Sequence, residues 1–459
     1  MQYKLVSDTG ERRLIIFFAG WGMDWRPFAT LARRGYDVAV VWDYTSFQID
    51  WSFTRRYEEI GIVAWSMGVF AAALTTAALD PRVTRRIALG GTLTPVSDEY
   101  GIPADIFQAT LDTLDERRLA KFYRRMFVSR AEHEVFRGVL PQRDIDSLRR
   151  ELVSVREMQL SAPQLSARYD RAYIGTDDAI FPAVAQQRAW QVSGVPYTLV
   201  SEIGHWIDPA DILRREFVDK STMAVRFAAA RDTYERAGIV QAEIVDALVG
   251  ALRSVPGANL SRARDILEVG CGSGLLSRPL RHMAPEAQLT LWDIAAGPGP
   301  DVPGAEFRCC DAEIAVADLV PDSLDAIVSA STIQWFNSPG RFVARCARVL
   351  RPGGIFAFTT FTEGNLHQIS AITGSSLPLR DSAGWMALCR PYLRLLHVAR
   401  WRRDMSFATP LDALRHLKAT GVNSLGGSAH DIMHRLTPSP DGTYRLTYTP
   451  LVIIARKDG

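Results

Sequence analysis

Ser66 in Ala64-Trp-Ser-Met-Gly68, Asp178 in Gly175-Thr-Asp-Asp-Ala179 and His205 in Gly204-His-Trp206 have the types and chain order of a nucleophile, an orienting acid and a base. A serine hydroxyl is a poor nucleophile until a base takes its proton, and the base needs a carboxylate to fix its tautomer. Ser66 lies between the apolar run 60–64 and the alanine-rich stretch 69–79, where a nucleophile elbow between strand and helix must sit. Small residues flank it at Ala64 and Gly68 because the backbone reverses there; glycine is more usual at the position of Ala64. Asp178 is the favoured carboxylate, and Asp98 in Val96-Ser-Asp-Glu-Tyr100 is the fallback. An oxyanion hole needs two backbone N–H donors. Met67, directly after the serine, supplies one, and Trp21 in Phe18-Ala-Gly-Trp-Gly22 supplies the other.

A second, unrelated chemistry is written about 200 residues later in Ile266-Leu-Glu-Val-Gly-Cys-Gly-Ser-Gly-Leu-Leu276. Glu268, Gly270, Gly272 and Gly274 would sit at the turn from a buried strand to a helix, where residues without side chains let the backbone approach a cofactor. A dinucleotide fingerprint, G-x-G-x-x-G, would require glycine at Leu275, so the turn suits S-adenosylmethionine instead. Asp293, ending the apolar run 289–292, is spaced to accept from both ribose hydroxyls. Asp311 in Cys310-Asp-Ala-Glu313 could accept from the adenine amino group, with the backbone N–H of Ala312 as a donor. Both Glu268 and Asp311 could alternatively be structural caps.

The elements needed to position these residues are present. Apolar runs at 14–19, 38–42, 60–64, 86–90, 172–174 and 197–200 alternate with helical stretches, which predicts a parallel sheet. A helical block at about 104–165, free of strand candidates, has the place of a lid. An amphipathic helix at 209–217 leads to a boundary near 218–222, beyond which 225–252 reads as helical. Strand-like runs then recur at 265–269, 289–292, 326–329, 354–360 and 447–455. The expectation is an α/β chain of two domains: residues 1–218 as an α/β-hydrolase with a helical lid, and 223–459 as a class I (Rossmann-like) methyltransferase.

Composition limits the alternatives. At 459 residues the chain exceeds what one core organises, and 47% hydrophobic with 23% charged residues is ordinary globular usage. A net charge of +2 argues against nucleic acid as the partner, although arginine pairs recur. No apolar run approaches a membrane span, and the start lacks a signal peptide's apolar core, so a cytoplasmic location is expected. Five cysteines without C-x-x-C spacing predict no metal site; adjacent Cys309 and Cys310 are read as packing.

Phe18-Ala-Gly-Trp-Gly22, Val63 to Gly68, Asp98-Glu-Tyr-Gly-Ile-Pro-Ala-Asp-Ile-Phe107 and Lys121-Phe-Tyr-Arg-Arg125 resemble BioG-type pimeloyl-[acyl-carrier-protein] methyl ester esterases over nearly all of 1–218. The resemblance implies that the lid meets an acidic acyl carrier protein, with Arg124 and Arg125 as candidate contacts; a solvated helix face is the other reading of that pair. Arg226 to Gln241, Gln334-Trp335, Thr359-Thr-Phe361 and His416-Leu-Lys-Ala-Thr-Gly-Val-Asn423 resemble the BioC-type malonyl-[acyl-carrier-protein] O-methyltransferases over 223–459. That resemblance implies methyl transfer to a malonyl carboxylate, with Tyr234, Gln241, Gln334 and Trp335 as candidates for holding it. Tyr234 and Gln241, seven residues apart, are expected on one helix face. Together the two resemblances imply a bifunctional enzyme of biotin synthesis that acts on carrier-bound acyl groups, consumes S-adenosylmethionine and releases methanol. Two alternatives stay open: a small-molecule methyltransferase fused to a generic carboxylesterase, or one half serving as an inactive carrier-docking module.

Overall fold

The computed structural model describes residues 1–458 apart from 163, 164, 166–168, 374–376, 378 and 421–428. Pro163 and Gln164 of the expected lid, and Gly421, Val422 and Asn423 of the His416 stretch, lie outside the described residues. The chain divides into two compact units, Met1–Arg214 and Arg215–Gly459, and the division falls inside the helix Pro209–Glu216.

In the first unit seven strands form one sheet: β1 (Gln2–Ser7), β2 (Arg13–Phe18), β3 (Asp37–Trp42), β4 (Glu59–Trp65), β5 (Val83–Leu89), β6 (Arg171–Gly175) and β7 (Tyr197–Val200). Their order is β1-β3-β2-β4-β5-β6-β7, parallel except for β1, which runs antiparallel to β3. Strands β2, β3 and β4 are buried along their whole length, because helices cover both faces of a parallel sheet. β1 escaped the sequence reading: it is a mostly exposed edge strand with no continuous apolar run. The segment expected to form a lid, between β5 and β6, comprises the helices Ala104–Thr113, Glu116–Arg125, Arg130–Arg137 and Ile145–Ser161. Three of them start on an aspartate or serine whose side chain accepts from the first turn, at Asp115, Ser129 and Asp144.

The second unit opens with two helices, Lys220–Ala237 and Ile239–Ser254, where the sequence reads as one; Gly238 interrupts the run. A seven-stranded sheet follows: β8 (Asp265–Val269), β9 (Gln288–Asp293), β10 (Ala305–Cys309), β11 (Leu324–Ser329), β12 (Leu350–Phe361), β13 (Arg394–Arg400) and β16 (Pro450–Arg456), while β14 (Arg403–Phe407) and β15 (Tyr444–Tyr448) pair separately. The sheet order β10-β9-β8-β11-β12-β16-β13 puts β8 and β11 side by side, and the chain reverses direction of travel across the sheet there. Such a switch point opens a crevice at the strand ends. The expected strand 447–455 is two, β15 and β16, which join different sheets. Both units are thus α/β, as composition and alternation implied. Among the described residues no helix is long and apolar enough to cross a membrane.

Candidate active sites

In the first unit, β4 runs straight into Ser66, and the helix Gly68–Thr75 starts two residues later. Ser66 has φ 60°, a left-handed conformation that costs a non-glycine residue energy and turns its hydroxyl out of the bend. Gly68 is obligatory in this bend: a Cβ there would stand 2.5 Å from the Phe18 carbonyl oxygen. Oγ of Ser66 lies 2.8 Å from Nε2 of His205, and Nδ1 of His205 lies 2.9 Å from Oδ2 of Asp178. All three side chains are buried. Asp178 is held rigidly, because its Oδ1 accepts from the backbone N–H groups of Ile180 and Phe181 and its Oδ2 also accepts from Gln186. Asp98 instead accepts from the backbone N–H of Ala104, the first residue of the helix Ala104–Thr113, while it is Asp178 that His205 meets.

The loop at Trp21 is stitched to the lid. The Trp21 indole donates to the Leu148 carbonyl, the Tyr123 hydroxyl to that of Gly22, and the Arg143 guanidinium to that of Met23. His205 is stacked on Phe181 and flanked by Trp65, whose indole donates to the His205 carbonyl. Arg124 and Arg125 are exposed at the end of their lid helix, and each already has a use: Arg124 donates to the Phe127 carbonyl and Arg125 to the carbonyl of Ala179, the residue after Asp178.

A deep buried acid in this unit had no sequence signal. Glu151, on the lid helix Ile145–Ser161, accepts from the Tyr44 N–H and lies 3.3 Å from Arg143; burial pushes its carboxyl up to about 7.

In the second unit, the glycine loop leaves β8 at Val269, with Glu268 still within the strand. The helix after the loop is only Ser277–Met283. Gly270 donates to the Trp292 carbonyl, and Gly272 donates to Oδ2 of Asp293. A Cβ on Gly272, at φ 50°, would meet nothing within 4 Å, which leaves an open cradle. The crevice holds about 1020 Å³ of empty space including its mouth and is lined by Glu268, Asp293, Asp311, Tyr234, Gln241 and Trp335, among others. On the helix Lys220–Ala237, residues 220, 223, 227, 231 and 234 all line it, at the spacing of one helix face. Tyr234 and Gln241 do not share one helix, since Gly238 separates them, yet both reach the crevice.

Five buried polar atoms around this crevice have no hydrogen-bond partner: Glu268 Oε2, Gln241 Oε1, Ser273 Oγ, Ser331 Oγ and one Arg231 guanidinium nitrogen. Orphaned groups of this kind are costly unless a polar ligand satisfies them, so the residues fit S-adenosylmethionine, a polar cation with many donors and acceptors. Burial pushes the Glu268 carboxyl up to about 8, and burial likewise raises Asp293, against hydrogen bonds from the Ala295 and Gly272 N–H groups. Asp311 caps the short helix Ala312–Ala315 by accepting from the Glu313 N–H, and its two oxygens lie 2.8 and 3.1 Å from Nζ of Lys220, which also contacts Glu313. Lys220 carried no motif, because its partners are 91 and 93 residues away.

A second, smaller cavity adjoins the crevice, shares Phe227, Tyr234, Gln241, Ser331 and Trp335 with it, and adds Gln334. Gln334 donates to the Ser331 carbonyl, and Trp335 packs edge-on against Phe227 at 5.5 Å. Among the described residues no group of three or more His, Cys, Asp or Glu side chains is gathered as a metal would need, and all five cysteines are unpaired.

Residues 1–208 match the family model described as pimeloyl-ACP methyl esterase BioG, and residues 267–358 match that of a methyltransferase domain. A protein of Bacteroides fragilis named malonyl-[acyl-carrier protein] O-methyltransferase is 32% identical over 97% of this chain and 93% of its own length. A protein of the same name from Haemophilus influenzae is 34% identical over 52% of this chain and 95% of its length. The solved structure of BioG from Haemophilus influenzae is 29% identical over 45% of this chain and 94% of that one, at a TM-score of 0.42.

Proposed function

The chain belongs to the malonyl-[acyl-carrier protein] O-methyltransferase family, and from that premise we propose that it holds two enzymes acting on carrier-bound acyl groups in biotin synthesis. The second unit methylates the free carboxylate of malonyl-[acyl-carrier protein], and the first hydrolyses the methyl ester of pimeloyl-[acyl-carrier protein] to the acid and methanol. A methyl group hides the charge of a dicarboxylate while apolar elongation enzymes extend it, and the esterase later restores that charge. The observation that carries the reading is the coexistence on one chain of a Ser66–His205–Asp178 hydrogen-bond line and a crevice rimmed by orphaned polar atoms.

In the esterase, His205 Nε2 takes the Ser66 proton as Oγ attacks the ester carbonyl, then returns it to the departing methoxide, which leaves as methanol. Asp178 keeps Nδ1 protonated and steadies the imidazolium. The Trp21 and Met67 N–H groups stabilise the oxyanion, and a water activated by the same histidine frees the acyl chain from Ser66.

In the methyltransferase, Asp293 would hold the ribose hydroxyls, Asp311 and the Ala312 N–H would hold the adenine, and Glu268 with the side-chain-free backbone at Gly270, Gly272 and Gly274 would surround the remaining polar end. S-adenosylmethionine supplies the methyl group from a cationic sulfur. The acceptor carboxylate is ionised at neutral pH, its pKa being about 4, so no general base is required. Tyr234, Gln241, Gln334 and Trp335 exclude water from it and align one oxygen. Anion and cation disappear together in this reaction, so a weakly polar chamber favours it.

The test is intact-mass spectrometry of carrier protein incubated with the full-length enzyme. Malonyl carrier with S-adenosylmethionine gains one methyl group, and pimeloyl-methyl carrier loses one. Methylation of free small acids but never of the carrier would refute the carrier assignment, and an unchanged pimeloyl ester would leave the first unit a docking module.

A further inference from the structure

The second cavity contains an arrangement that neither reaction uses so far. None of the described residues lining it is cationic; its polar members include Tyr234, Gln241, Gln334 and Tyr448, set among Phe361, Leu366 and other apolar side chains. This is an unusual place for an anion, because a buried carboxylate needs partners and among the described residues of the lining only neutral donors can supply them. Tyr448 ends β15, is 1% exposed, and packs beside Phe361 with ring centroids 6.0 Å apart. Its hydroxyl lies 2.8 Å from Nε2 of His416, on the helix Pro410–Ala419. His416 is itself buried, with its ring 5.3 Å from that of Phe407. Burial lowers its basicity, so the ring stays neutral and carries a single N–H.

We propose that Tyr448, oriented by His416, is a carboxylate-binding residue of this chamber: Nε2–H of His416 donates to the Tyr448 oxygen, and the Tyr448 hydroxyl donates its own hydrogen to the acceptor carboxylate. The inference rests on the methyltransferase reading above and extends it to how the acceptor is held. This direction requires the Nε2–H tautomer of His416, the one that leaves the phenol hydrogen free for the carboxylate. A phenol whose oxygen already accepts from an imidazole has its proton free, and an anion at the end polarises both bonds in one sense, strengthening them together. The neutrality also has a purpose. A guanidinium would stabilise the carboxylate most before reaction and lose that stabilisation as the charge vanishes, whereas a phenol fixes the oxygen with a smaller ground-state advantage. Tyr448 therefore contacts substrate, and His416 is a positioning residue.

The experiment uses full-length protein saturated with S-adenosylhomocysteine, so that no reaction occurs, and compares its affinity for malonyl-pantetheine and acetyl-pantetheine, which differ by the carboxylate. Wild type binds the malonyl probe more tightly. Tyr448→Phe weakens malonyl binding about tenfold to a hundredfold, the range for a hydrogen bond to a charged group, and leaves acetyl binding and cofactor affinity unchanged. His416→Leu produces most of that loss, and His416→Gln, which keeps a side-chain N–H, restores most of it. An equal loss for both probes, or an intact malonyl preference in Tyr448→Phe, would overturn the proposal and make the pair structural. Should Tyr448→Phe also lose cofactor affinity, the two His416 variants decide, and equal malonyl affinity in both overturns the proposal. Wild type that binds cofactor but shows no malonyl preference would instead overturn the methyltransferase reading, and this inference with it.

Discussion

Replacing Asp178 by asparagine changes one atom and, through the groups around it, the tautomer of His205. One carboxylate oxygen receives two backbone N–H groups, from Ile180 and Phe181 at 2.8 and 2.9 Å; the other receives His205 Nδ1 and Gln186 Nε2 at 2.9 and 3.0 Å. The asparagine amide nitrogen cannot face the two backbone donors, because both would lose their acceptor at about 1–3 kcal/mol each and the backbone cannot turn away. It must face His205. Nδ1 then becomes the acceptor and the ring proton moves to Nε2, 2.8 Å from the Ser66 oxygen it was meant to deprotonate. Loss of the base function at this position is worth about 10⁴ in kcat, or about 5.4 kcal/mol of activation free energy. Asp98→Asn should change kcat less than about twofold, since an asparagine oxygen can accept the same Ala104 N–H. The assay is steady-state hydrolysis of a soluble methyl ester and of the carrier-linked ester, with thermal melting to verify folding. A folded Asp178→Asn retaining more than about a tenth of wild-type kcat, or a larger loss in Asp98→Asn, would refute the tautomer argument.

The Glu268 carboxyl, raised by burial to about 8, should make cofactor binding pH-dependent: the cationic ligand favours the ionised form, so affinity rises between about pH 6 and 8, by at most about tenfold per unit. Calorimetry in two buffers of different ionisation enthalpy should detect the released proton, and Glu268→Gln should flatten the profile. Because the folded value lies above the ordinary glutamate value of 4.5, this group also lowers the stability of ligand-free protein as pH climbs from about 4.5 through about 8, a slope that Glu268→Gln should remove from thermal melts. Asp293→Ala strips acceptors from the Gly272 and Ala295 N–H groups as well as from the ribose, so cofactor affinity should fall at least about tenfold while ester hydrolysis persists; unchanged affinity removes Asp293 from that role. Arg124→Glu should raise KM for the carrier-linked ester more than for p-nitrophenyl acetate, with the difference shrinking as salt screens charge over about 10 Å at 0.1 M. Equal effects on both substrates would assign Arg124 to lid packing through its bond to the Phe127 carbonyl.

The sequence by itself determined the α/β character of both units and the local turns in which chemistry could reside. A serine between a buried strand and a helix, and glycines after Val269, are local signals, because the backbone conformations they demand involve neighbouring residues only. Edge strands were illegible: β1, β13 and β14 lack a buried face to impose a continuous apolar run. The helix break at Gly238 was legible only in retrospect, since helix periodicity continues on both sides of it. Partner choice across the sheet was decided by tertiary structure alone. Chain order allowed either Asp98 or Asp178 to approach His205, and what separates them is that β6 ends beside the His205 loop whereas Asp98 is spent on a lid helix. Lys220 with Asp311, and His416 with Tyr448, have no mutual spacing rule, because their distances are set by which strand ends and helices the sheet order brings together. Turns are written in adjacent residues, and pairings between distant ones exist only once the core has fixed where each element stops.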